Sequence, residues 1–188
     1  MEYFEVIEQY FKYGFTHVVP LGLDHILFIL SIFFLTSNLR LVLIQCSVFT
    51  LAHSISLALT SANLFLPDPK IIEPLISFSI VITAVGNIIS DDVGKSRLAI
   101  IFLFGLIHGM GFASALKEIG IPQNNFFIAV LFFNVGVEMG QVFVILLAYF
   151  LISKWTSKKS WYKARIVYPL SCIIACAAMY LTFLRLFH

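Results

Sequence analysis

The sequence predicts an all-α polytopic membrane protein: a compact bundle of about six transmembrane helices with a short N-terminal interfacial helix, forming one transmembrane domain over residues 1–188. Three observations predict it. Hydrophobic residues make up 60% of the chain and charged residues only 12%, whereas soluble domains use about 45–50% apolar residues. The mean hydropathy is +0.98. The apolar residues also fall into six runs of membrane-crossing length; six spans of ~20 residues need about 120 positions and leave connections too short for a separate soluble domain.

The elements follow in order. Residues 3–13 set Tyr3, Phe4, Ile7 and Phe11 against Glu5, Glu8, Gln9 and Lys12, an apolar stripe at helical spacing that suits a helix lying at the membrane surface. This segment lacks the basic start, apolar centre and small-residue cleavage site of a signal peptide, so it is expected to be retained. The first span covers about residues 18–35 and ends at Ser37 and Asn38. The second, 41–60, carries Thr50, His53, Ser54 and Ser56. Pro67, Asp68, Pro69 and Lys70 break the pattern before the third, 71–89, whose first turn holds Glu73 and Pro74. Asp91, Asp92 and Gly94 close it. The fourth, 97–116, has Gly105 and Gly109 one turn apart, where a neighbouring helix can approach closely. The fifth, 126–152, places Asn134, Glu138 and Gln141 on one face, and the sixth spans 166–187.

Charge orients the bundle. One side carries Arg40, Lys95, Arg97, Lys154, Lys158, Lys159, Lys163 and Arg165, and the other only Lys12, Lys70, Lys117 and Arg185. The positive-inside rule then puts both termini outside a cell inner (cytoplasmic) membrane. A net charge of +2 without a basic stripe excludes nucleic acid as a partner, leaving the lipid bilayer and small ions. Cys46, Cys172 and Cys176 lie in apolar runs and read as small buried hydrophobes.

Function is written in the ionisable residues that the apolar runs enclose. Asp24 and His25 sit inside the first span, where a charge costs ~2.5–3.5 kcal/mol and so marks an ion or substrate path. On a continuous helix His17, seven residues earlier, shares a face with Asp24, and His25 lies about 100° round. At ~1.5 Å per residue, Asp24, His25, His53, His108, Asn134 and Glu138 all fall roughly 10–19 Å below the outward surface. Four helices thus supply ligand-type side chains to one slab; His188 is terminal and stands apart. Imidazole with carboxylate suits nickel, cobalt, zinc or iron, whereas an all-oxygen set suits magnesium or calcium. The structural alternative is that these groups only satisfy one another and hold the helices in register, with Asn134 and Gln141 as interhelical hydrogen bonders. Ser54, beside His53, is a candidate supporting or nucleophilic hydroxyl.

Four segments in order, H-V-V-P-L-G-L-D-H (17–25), F-T-L-A-H-S (49–54), F-G-L-I-H-G-M-G-F-A (104–113) and F-N-V-G-V-E-M-G-Q (133–141), together resemble the HupE/UreJ family of small membrane proteins over most of residues 14–150. Six residues separate His17 from the Asp-His pair, one more than in the nickel-transporting branch, so the chain is more similar to the second, less characterised branch. The resemblance implies about six membrane helices and a nickel or cobalt permease serving hydrogenase and urease maturation. It also implies His17, Asp24, His25, His53, His108 and Glu138 as metal-handling positions. Two readings of other classes use the same residues. One is a zinc-dependent intramembrane hydrolase with Glu138 as general base and water entering from outside. The other is a metal sensor or a chaperone-like partner of an exported protein.

Overall fold

A computed structural model of the chain describes residues 3–36, 38–65, 67–90, 94–120 and 122–187; Ser37, Asp91, Asp92, Ile121 and His188 lie outside them. Every regular element among the described residues is helical. In chain order these are α1 (Tyr3–Val18), α2 (Leu23–Leu35), α3 (Leu39–Ser61), α4 (Pro69–Ile89), α5 (Lys95–Ile119) and α6 (Phe126–Ala148). A π turn (Tyr149–Ser153) carries α6 into the short α7 (Lys154–Thr156), and a second (Lys163–Val167) leads into α8 (Tyr168–Phe187). Five stretches are long and apolar enough to cross a membrane, and α1 with α2 would make a sixth, bent by 67°.

The helices begin where the chain supplies a cap. Asn38 accepts hydrogen bonds from the amides of Arg40 and Leu41, and Asp68 accepts one from Lys70 at 2.9 Å with Pro69 in the first turn. Those side chains satisfy amides that have no partner within the helix.

Three helix pairs make the bundle. α3 lies against α5, where the expected close approach is realised: Gly105 faces the Phe49 carbonyl and Ala52, and Gly109 faces the His53 carbonyl and Ser56. α4 runs antiparallel to α8, with Thr182 donating to Ser77 at 3.0 Å and Arg185 to the Glu73 carbonyl at 3.3 Å. α1 runs alongside α6 in the same direction, Gly14 facing the Phe133 carbonyl, Gly136 the Phe11 carbonyl and Gly140 the Val18 side chain. The helical reading of the N-terminus therefore holds with a longer helix and a different partner. Val6, Tyr10, Gly14 and Val18, spaced every four residues, are buried against protein rather than turned to the membrane surface. The Tyr10 hydroxyl donates to the Gly120 carbonyl, tying α1 to the α5–α6 connection.

The first span is not one helix. Pro20 has no amide hydrogen to donate and the backbone turns at Gly22, where any side chain would run into the His17 carbonyl. His17 thus ends α1 while Asp24 and His25 open α2, and the periodicity that put His17 and Asp24 on one face does not carry across the bend. Cys46 is buried as expected, but Cys172 and Cys176 are exposed on α8. A face turned to lipid accepts a small apolar thiol as readily as a protein core does.

Candidate metal centre

The bend of α1 onto α2 brings His17 over His25, with ring centroids 4.6 Å apart in an edge-on arrangement. His53 reaches the same point from α3, its ring 5.7 Å from His25 and 6.3 Å from His17. One ligand atom from each of the three imidazoles lies within 4.8 Å of the others. The Nε2 atoms of all three are buried and without a hydrogen-bond partner.

Three orphaned nitrogens in one place call for an explanation, because an unsatisfied buried polar atom costs about 1–3 kcal/mol. A metal supplies one. Bonds of about 2.0–2.1 Å to imidazole would require each ring to draw inward by only about 0.7 Å from a 4.8 Å triangle. The donor set of three neutral imidazoles suits a divalent transition metal and leaves further coordination positions open.

Asn134 orients the His53 ring. Its side-chain amide donates to the Val130 carbonyl at 2.8 Å, which turns Oδ1 toward His53 Nδ1 at 3.4 Å. An oxygen there can only accept, so the ring proton sits on Nδ1 and Nε2 presents its lone pair to the cluster. Loss of such an orienting partner typically lowers metal affinity by about 10–100-fold. Asn134→Ala should do so here, measured by titration of the purified protein with the metal, while Asn134→Asp, which keeps the acceptor, should retain more of the affinity.

His108 stands next to the triad but outside it. Its ring lies 5.4 Å from that of His25, and its Nε2 meets Ser79 Oγ at 3.0 Å. Ser79 spends its own proton on the Ile76 carbonyl at 2.7 Å, so its oxygen accepts from His108 Nε2–H. The buried Nδ1 of His108 is then bare and unpartnered, a fourth imidazole lone pair one ring removed.

The two acids expected alongside the histidines have partners of their own. Asp24 is held by Arg185 through paired contacts of 3.1 and 2.7 Å, which uses both carboxylate oxygens. Glu138 accepts from Ser47 at 2.8 Å, on the part of α6 that faces α3. Ser54 donates to the Thr50 carbonyl at 2.6 Å, as helix serines commonly do, and is not turned to the cluster.

Layers follow one another along the bundle. Above the imidazoles opens a cavity of about 520 Å³, lined by His17, Asp24, His25, His108, Glu73 and Arg185 among others. One turn from His25, His53 and His108, on the side away from the cavity, stand Phe28, Phe49 and Phe104. Phe28 and Phe49 are fully buried with centroids 4.7 Å apart, and each is about 5 Å from the His108 ring. Polar groups resume beneath this floor. Asn87 donates to the Ser31 carbonyl at 2.7 Å and accepts from Arg97 at 3.0 Å, while Arg97 also donates to Gln45 at 3.1 Å. Sequence alone gave no reason to prefer Ser79, Glu73 or Arg185; their roles arise from α4 and α8 closing around α2.

Fold and site together define a polytopic helical membrane protein with a buried histidine cluster fit for a metal. The profile described as HupE / UreJ protein matches residues 2–185, nearly the whole chain. The chain belongs to the HupE/UreJ family. No curated protein and no solved structure matches it.

Proposed function

We propose that the protein is a divalent transition-metal permease of the nickel and cobalt type, standing open to the outside. The observation that carries this reading is the convergence of three buried, unpartnered Nε2 atoms from α1, α2 and α3 below an open cavity. A hydrated cation enters past Asp24, Glu73 and Arg185, exchanges water for His17, His25 and His53, and is handed inward by way of His108. The Phe28–Phe49 floor acts as the inner gate, and the Asn87, Gln45 and Arg97 layer lies beyond it. The membrane is the cell inner membrane, with α1 and α2 crossing as one broken span and both termini outside, so that metal delivered inward can supply metalloenzyme maturation. Asp24 acts at the mouth and Glu138 at the α3–α6 contact, neither as a ligand in the outward-open state.

A second reading is favoured by the closed floor. Three imidazoles, an open coordination position and carboxylates lining the same cavity also fit a zinc-dependent hydrolase whose water enters from outside. Glu73, which lines the cavity, then becomes a better candidate base than Glu138. Proteoliposomes loaded with a metal-sensing dye separate the two. Saturable uptake of nickel or cobalt that is lost in His25→Ala supports the permease. Metal retained at one ion per chain through purification, with no flux, points to the enzyme.

A further inference from the structure

A second feature has no part in the metal pathway. At the end of α8 opposite Arg185, the connection from α6 forms a compact hairpin across α7, closed by backbone hydrogen bonds from Lys159 to Thr156, Tyr162 to Lys159 and Arg165 to Trp161. It carries Lys154, Lys158, Lys159, Lys163 and Arg165 within twelve residues, and no acidic residue follows Glu138 through to His188. Among the described residues, Arg40, Lys95 and Arg97 at the starts of α3 and α5 add to the cations at the same end of the bundle.

The aromatic residues are placed as at a membrane boundary. Trp155 is 69% exposed and Trp161 37%, whereas Tyr162, next to Trp161, is buried, so the hairpin has an inner and an outer face. Lys154 Nζ lies 5.4 Å from the Phe150 ring and 5.3 Å from that of Trp155, and the Arg165 guanidinium is 5.8 Å from Trp161. Cations stacked on indole rings at the end of a span match the headgroup level of a bilayer, where Trp is enriched. Two π turns flank this hairpin and widen the helix ends on which it rests.

We propose that the α6–α8 hairpin is a binding site for anionic phospholipid headgroups. Lys158, Lys159 and Arg165 take the phosphodiester oxygens, and Trp155 and Trp161 seat in the boundary between headgroup and acyl chain. The proposal is independent of the metal reading, because the hairpin and the cavity lie at opposite ends of α8.

Native mass spectrometry of the full chain, purified in detergent and supplied with phosphatidylglycerol or phosphatidylcholine of the same acyl chains, tests it. Phosphatidylglycerol should stay bound selectively. Each lysine near an anionic surface contributes about fivefold in affinity, so Lys158→Gln with Lys159→Gln should weaken retention roughly 30-fold, while the double Lys→Arg variant keeps it. Unchanged helicity and an unchanged melting temperature confirm that the Gln variant is folded. Equal retention of phosphatidylcholine, an unaffected Gln variant, or full displacement by millimolar inorganic phosphate would each overturn the proposal, the last by showing a site for a free anion rather than a lipid.

Discussion

His53→Ala is expected to abolish stoichiometric binding of divalent metal while leaving the helices folded. His53 contributes one of three nitrogens to the cluster, and its ring is fully buried between α3, α2 and α6. Losing one of three ligands must weaken binding by more than the ~10–100-fold that follows loss of an orienting partner. The fold survives because two effects oppose. Deleting a buried ring leaves a void, which in cores costs about 2–5 kcal/mol for a large side chain. It also removes an orphaned Nε2 whose burial without a partner costs about 1–3 kcal/mol. Calorimetric metal titration beside thermal unfolding reads both quantities. His108→Ala is the comparison: its ring lies outside the 4.8 Å group, so first-site affinity should fall much less, while any inward transfer should slow. Equal losses of affinity in the two variants would mean that the first site is not the His17, His25 and His53 triangle.

The bundle was legible in the sequence because burying helices in lipid demands long apolar runs, and the expected ends of the second to sixth spans differ from the helix ends by a few residues. Depth was legible for the same reason: His25, His53, His108 and Asn134 were placed in one slab by helical rise alone, and they do meet. The reach along one helix was not. Glu138 shares the α3-facing side of α6 with Asn134 and Gln141, but it lies one helical turn further along and accepts from Ser47 instead of reaching the histidines. The first span misled for a local reason. Pro20-Leu21-Gly22 was the visible sign of a break, and reading through it made His17 and Asp24 neighbours on one face. With the break, His17 joins His25, and Asp24 is released to Arg185, a residue that sequence treated only as a topological charge. Long-range partners such as Asn134 for His53 and Ser79 for His108 depend on which helices are adjacent, and spacing within one helix carries no such information.

Gly109→Ala should be the most damaging single methyl group in the molecule's α3–α5 contact, and it should damage the site as well as the fold. A Cβ at this position would collide with the His53 carbonyl oxygen and the Ser56 hydroxyl and would press on the His53 carbonyl carbon. Backbone cannot rotate away as a side chain can, so α3 and α5 must separate. Overpacking of this kind costs about 1–3 kcal/mol, occasionally more, even though alanine favours the helix over glycine by about 1 kcal/mol. The displaced atoms belong to His53 itself, and the substituted residue adjoins His108. Separation therefore pulls His53 Nε2 away from His17 and His25, where a site of this kind needs its ligands held within about 0.5 Å. A fall in melting temperature should accompany at least a tenfold loss of metal affinity. Gly120→Ala provides the contrast. Gly120 has a positive φ of 85° but nothing within 4 Å of the added methyl, so it should cost stability through backbone strain while leaving metal affinity unchanged. If Gly109→Ala melted lower yet bound metal as tightly as the parent chain, the close packing of α3 on α5 would have to be separated from the geometry of the histidine cluster.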